Sequence, residues 1–74
     1  MSDDIQSLDD VDTEIIQRDG WRLDKMITGH IENTMPSYEE AVLYAENKLQ
    51  SHEVALRSVV NKQTVFWEVY VKNR

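Results

Sequence analysis

The chain has 74 residues, no cysteine and a net charge of −6, a size that suffices for one small domain near the lower limit for a self-sufficient hydrophobic core. Without cysteine it cannot form disulfides, zinc ribbons or thiol-dependent sites. The acidic start lacks the regions of a signal peptide, and the longest purely apolar run, residues 41–45, is too short to cross a membrane, so we expect a cytoplasmic protein without membrane contact.

The excess charge lies in residues 1–20, which hold seven acids against one base, whereas residues 21–74 hold seven of each. We therefore distinguish an acidic N-terminal segment, residues 1–20, from a single small α/β domain, residues 21–74. Such a segment repels nucleic acid and steers a protein towards basic surfaces; the alternative is a solubilising terminus. Its candidate partner-binding residues are Asp3, Asp4, Asp9 and Asp10.

Apolar residues recur at helical spacing near the N-terminus and predict a helix over residues 5–19. Gly20 is a natural stop for this helix because glycine readily adopts the left-handed conformation. A competing interpretation is a hairpin around Asp19 and Gly20, between residues 13–17 and 21–27. The apolar stripe consists of Ile5, Leu8, Val11, Ile15 and Ile16.

Residues 21–27 have the pattern of a strand, which Lys25 interrupts on its apolar face, so we expect an edge position or a bend there. Gly29 is expected to end or bulge this strand.

The next element is the clearest helix of the chain, predicted over residues 37–50. Ser37 followed by Glu40 matches a capping box, in which each side chain accepts a free backbone N–H of the first turn. Pro36 is expected to keep the helix from extending backward.

The remaining sequence predicts a hairpin of two strands, residues 52–60 and 64–71, joined by a short polar loop. The fold class is therefore α+β, a small two-layer sandwich of element order α-β-α-β-β. Its three-stranded, largely antiparallel sheet carries the capped helix on one face, and the N-terminal helix completes the fold.

No residue pattern points to catalysis. His30 and His52 are the only groups that titrate near neutral pH, and their spacing from acids matches no common metal site. Glu39 and Glu40 are neighbours on a helix and point about 100° apart, so they do not converge as a general acid–base pair must. We expect no enzyme, no metal and no cofactor.

The last strand raises a question about its second face. Val65 and its alternate neighbours form a core face, but Phe66 and Tyr70 lie on the opposite face, with Ala55 and Val59 as cross-strand neighbours. A contiguous apolar patch needs a cover. Three different elements could bury this patch: the N-terminal helix folded back, a second copy of the chain, or a foreign partner.

These observations favour a non-catalytic protein–protein interaction module, with Phe66, Tyr70 and Arg57 as candidate partner-binding residues besides the four acids. The partner is a protein of unknown identity, and a homodimer is possible. Over residues 21–74 the layout resembles small phage proteins that inhibit host enzymes, a resemblance of layout without a shared motif. It implies a phage-encoded or regulatory inhibitor of a larger host protein.

Two alternatives involve nucleic acid. Phe66 and Tyr70 could stack bases on an open sheet, or the acids could mimic DNA. The acidic segment and the small number of cations make nucleic-acid binding the weaker interpretation.

Overall fold

A computed structural model describes residues 4–74 and contains four strands and two helices. The sheet has the order β1-β3-β4-β2, in which β1 runs parallel to β3 and the other pairs are antiparallel. The α+β class is therefore confirmed, whereas the predicted three-stranded sheet lacks one strand. In chain order the elements are β1 (Ile5–Ser7), α1 (Thr13–Arg18), β2 (Arg22–His30), α2 (Met35–Lys48), β3 (His52–Asn61) and β4 (Thr64–Asn73).

The β3–β4 hairpin forms as predicted and is the centre of the sheet. The strands pair along their whole length, from His52 with Asn73 to Asn61 with Thr64. Side chains alternate between two faces of a strand, and we name the face on which α2 packs the inner face and the other the outer face. The inner core consists of Ile27, Ala41, Ala45, Val54, Val69 and Val71.

The predicted N-terminal helix over residues 5–19 is wrong, and so is the alternative hairpin. Residues 5–7 form β1, whose line continues as the Leu8 amide donates to the Leu56 carbonyl, and only residues 13–18 are helical. Aspartates lower helix propensity, and pairing with β3 satisfies backbone groups that a sheet edge would otherwise leave free. The pairing also sends Ile5 to the inner core and Leu8 to the outer face.

The end of α1 falls at Gly20, as the sequence predicts. Gly20 has φ +93°, its amide donates to the Gln17 carbonyl, and the Trp21 amide donates to the Ile16 carbonyl, each over 3.1 Å. This pair of hydrogen bonds is a Schellman motif. Trp21 and Ile16 also belong to one buried cluster, so the motif fixes the chain's turn into β2.

The predicted capping box of α2 is wrong. The helix begins two residues upstream of the predicted Ser37, with Thr34 as N-cap and no side-chain cap hydrogen bond. Pro36 lies inside the first turn, where no backbone N–H is needed. The Ser37 hydroxyl donates to the Thr34 carbonyl over 3.0 Å and accepts the Trp67 Nε1–H over 2.9 Å. Ser37 thus joins the helix to the sheet.

Strand β2 has both features that Lys25 predicts, because it is an edge strand and its register shifts between Leu23 and Lys25. Gly29 does not end it, since the strand continues to His30. A Cβ on Gly29 would collide with the Ser37 hydroxyl and lie 2.5 Å from the Ser37 Cβ. Glycine is required here for the close approach of α2.

Candidate functional site

The outer face is covered at one end by the chain's own N-terminal segment. Leu8, Ile16 and Trp21 pack with Ala55 and Tyr70 into a second buried cluster. Tyr70 is 8% exposed. At this end the cover is therefore intramolecular, although the short helix α1 and the loops on either side of it supply it rather than one long helix.

The other end of the outer face is not covered in this way. Val59 and Phe66 lie directly opposite each other and are half-buried, while Met26, opposite Glu68, is 48% exposed. We name Met26, Val59 and Phe66 the open surface. The two aromatic residues predicted as binding residues therefore differ in exposure, because Tyr70 is buried and Phe66 is only half-buried.

A half-buried ion pair lies between the two ends. The Arg57 Nη1 donates to the Glu68 Oε1 over 3.0 Å, and the Tyr70 hydroxyl donates to the same oxygen over 2.9 Å. The hydrogen bond to Glu68 raises the pKa of Arg57. The pKa of Tyr70 is also raised, mainly by burial and to a smaller extent by its hydrogen bond to Glu68. Within residues 4–74 the buried Arg57 Nε has no hydrogen-bond partner. Arg57 therefore contributes an electrically balanced pair rather than a free cation.

The predicted acids have different surroundings. The Asp9 Oδ1 accepts the Ser58 amide over 2.7 Å and the Ser58 hydroxyl over 3.1 Å, so it takes the place of a backbone carbonyl where β1 has ended. Asp4 and Asp10 are exposed, and Asp3 lies outside the described residues. The exposed acids Asp10, Asp12 and Glu14 lie on the segment that covers the Tyr70 end, and we name them the acidic flank.

The inner face contains a groove that the sequence did not reveal. Helix α2 lies mainly over β2, β3 and β4, and a cavity of about 190 Å³ remains between α2 and β1. The only local signal is that β3 continues its inner-face pattern through Ser58 and Val60, beyond what one helix covers. The inner groove is lined chiefly by Ile5, Tyr38, Val42, Leu56, Ser58 and Trp67.

A polar cluster joins α2 to the β2 irregularity. The Tyr44 hydroxyl donates to the Asp24 Oδ2 over 2.6 Å, and the Lys48 Nζ lies 3.6 Å from the same oxygen. The Tyr44 hydrogen bond, aided by Lys48, lowers the pKa of Asp24, and the same bond raises the pKa of Tyr44. This polar cluster therefore connects α2 to β2 through side-chain contacts.

Neither histidine belongs to these polar clusters. His30 is exposed, and the His52 Nδ1 lies 2.7 Å from the Ser51 hydroxyl. Across residues 4–74, no group of three or more His, Asp or Glu side chains is arranged to hold a metal ion.

Comparison of the chain with protein-family models, curated proteins and solved structures finds no match. Among the described helices, none is long and apolar enough to span a membrane.

Proposed function

We propose that the protein is a non-catalytic protein-interaction module that binds a partner protein through the open surface. The observation that carries this proposal is the division of the outer face. At one end the N-terminal segment buries Tyr70, while at the other Met26 is exposed and Val59 and Phe66 are half-buried. In the sheet Phe66 lies opposite Val59 and diagonal to Met26, and neighbouring apolar side chains at the surface of a small protein are typical of interaction sites.

The electrostatics of the surface indicate the chemistry of the partner. The Arg57–Glu68 pair is neutral and held in place, so the centre of the contact favours apolar and neutral polar groups. The acidic flank, on the segment that covers the Tyr70 end of the same face, favours a partner that is basic on that side, since complementary charges speed association and select the partner. The proposed partner thus presents an apolar contact bordered by Lys or Arg.

The structure gives less support to the nucleic-acid alternative than the sequence alone does. With Tyr70 buried, Phe66 is the only one of the two aromatics that borders solvent, and stacking platforms use several aromatic side chains. The ion pair with Glu68 also occupies Arg57. The interpretations as a DNA mimic and as a phage-type inhibitor stay predictions.

Site-specific photocrosslinking tests the proposal. A benzoylphenylalanine replaces Met26 in the full chain, and the matched control carries it in place of Asn47, which is exposed on α2. We expect a covalent adduct with one protein from position 26 and none from position 47. The crosslinked peptide of that protein should lie beside Lys or Arg residues.

Charge variants complete the test. Met26→Lys should abolish binding of the identified partner, Asn47→Lys should preserve it, and replacing the acidic flank by Asn should slow association at low salt. Both lysine variants change the net charge equally, so a difference between them is local. Equal adducts from both positions, no adduct, or only an adduct of twice the chain's mass would overturn the proposal; the last outcome would identify a homodimer.

A further inference from the structure

The inner groove lies beside α2, on a part of the sheet that a second helix could cover. Strands lie about 4.8 Å apart and a helix with side chains is about 10 Å wide, so a four-stranded sheet can hold two helices on one face. In this protein α2 lies mainly over β2, β3 and β4. The strip beside it, over β1 and the adjoining part of β3, is the inner groove.

The groove can accept large apolar side chains. Leu56 and Trp67 lie on its floor, Tyr38 and Val42 of α2 form one wall, and Ile5 of β1 forms the other. Its volume of about 190 Å³ exceeds the roughly 150 Å³ of a protein cavity that binds benzene. A second, shallower cavity of about 280 Å³ continues the surface across α2.

The exposed side chains of α2 continue this apolar surface. Met35, Tyr38 and Val42 follow one another at spacings of three and four residues on one stripe of the helix. Met35 and Tyr38 are exposed. Such a stripe on a helix normally packs against another element.

The rims carry one sign of charge. Asp9 lines the inner groove and Glu39 lines the shallower cavity, and neither cavity has a Lys or Arg among its lining residues. We propose that the inner groove binds an amphipathic helix with basic flanking residues, supplied by a partner protein and laid alongside α2. This inference is independent of the open surface, which is on the opposite face of the sheet.

Other occupants fit less well. An extended peptide added to β3 would need free backbone groups, but Leu8 already donates to the Leu56 carbonyl and Asp9 accepts the Ser58 amide. A helix needs no such groups because its own hydrogen bonds are internal. The α2 helix of a second copy would bring Glu39 and Glu40 towards the acidic rims, and like charges oppose such docking.

The two tryptophans provide an internal control. Trp67 lines the inner groove, whereas Trp21 is buried in the outer cluster. The probe is a capped peptide of about 14 residues, close to four helical turns, with Leu at helical spacing and Lys elsewhere. In ¹H–¹⁵N spectra we expect it to shift the Trp67 indole resonance and to leave that of Trp21 in place.

Two control peptides separate shape from charge. One has the same composition with Leu and Lys alternating, which favours a strand, and the other replaces Lys by Glu in the helical pattern. We expect neither to shift Trp67 comparably. Equal shifts from the alternating peptide would identify a strand site, and equal binding of the acidic helix would refute the role of the rims; either overturns the proposal.

Variants locate the site. Val42→Lys should weaken binding of the basic helix about tenfold, a loss typical of a central contact residue. Leu43→Lys, at a more exposed position, should weaken it less, and Met26→Lys on the outer face should leave it unchanged. If the folded Val42→Lys and Leu43→Lys variants bind as tightly as Met26→Lys, the helix does not lie in the inner groove.

Discussion

Replacing Ser37 by Ala tests how α2 is joined to the sheet. The Ser37 hydroxyl is buried and accepts the Trp67 Nε1–H over 2.9 Å. Its loss leaves a part-buried indole donor without that partner, and an unsatisfied buried donor costs about 1–3 kcal/mol. Because Trp67 keeps some exposure, water can restore part of this, so we expect a loss of about 1–2 kcal/mol.

A double-mutant cycle with Trp67→Phe isolates the hydrogen bond. Urea titration gives the free energy of unfolding of the parent, of both single variants and of the double variant. We expect Ser37→Ala to cost little in the Trp67→Phe background, because the donor is already absent, and hence a coupling energy of about 1 kcal/mol. Thr34→Ala is the control, since the N-cap Thr34 makes no side-chain cap bond and should cost less.

The outcome that refutes this reasoning is an equal cost of Ser37→Ala in the two backgrounds. The hydroxyl would then stabilise the helix locally, as the capping box predicts. That mechanism also predicts coupling between Ser37 and Glu40, so Glu40→Ala in the same cycle distinguishes the two cases. The structure predicts no such coupling.

Three further predictions concern packing and pH. Gly29→Ala should cost about 1–3 kcal/mol in urea titration, as overpacking does, because its Cβ would push against Ser37; an unchanged midpoint would contradict the close approach. Because the pKa of Asp24 is lowered, its contribution to stability is complete above the ordinary value of 3.8 and is lost as the pH falls through the folded-state pKa. In Asp24→Asn the free energy of unfolding should therefore fall less steeply at acid pH than in the parent, and an equally steep fall would be evidence against the hydrogen bond to Tyr44. Because the pKa of Tyr70 is raised, its contribution to stability is complete below the ordinary value of 10.0 and is lost as the pH rises through the folded-state pKa. The difference in free energy of unfolding between the parent and Tyr70→Phe should therefore decrease at alkaline pH, and a constant difference would refute this role of Tyr70.

The parts of the fold that the sequence predicted have local signals. The hairpin follows from period-two alternation on both sides of a short polar loop. The stop of α1 at Gly20 follows from the conformational freedom of glycine after a helix. The edge position of β2 follows from Lys25, since charged residues are common on edge strands. Each of these signals lies within a few residues of the feature it predicts.

The parts that were wrong depend on distant partners. Strand β1 has three residues, and its partner β3 lies far along the chain, so periodicity within residues 5–19 could not distinguish it from a helix. Ser37 has the local sequence of an N-cap, but its acceptor role is set by Trp67, thirty residues away. Tertiary contacts override local preferences at both positions.

The candidate site was predicted in outline only. Alternation correctly placed Phe66 and Tyr70 on one face, opposite Val65. Their different burial depends on Trp21 and Leu8, which reach Tyr70 only because the chain turns at Gly20 and β1 joins the sheet. No pattern near residues 64–74 contains this information, and the inner groove likewise results from where β1 ends.

The lengths of the elements explain why both faces of the sheet stay partly open. Strands β3 and β4 each have ten residues and span about 33 Å, and β3 carries apolar residues on both faces. Helix α2, with fourteen residues, spans about 21 Å on the inner face, and α1, with six residues, spans about 9 Å on the outer face. On the outer face the cover buries Tyr70 and leaves Phe66 half-buried, and a single helix leaves the β1 side of the inner face open. Both candidate surfaces follow from this shortage of helix, so a partner that buries either one would complete a layer that the chain itself leaves unfinished.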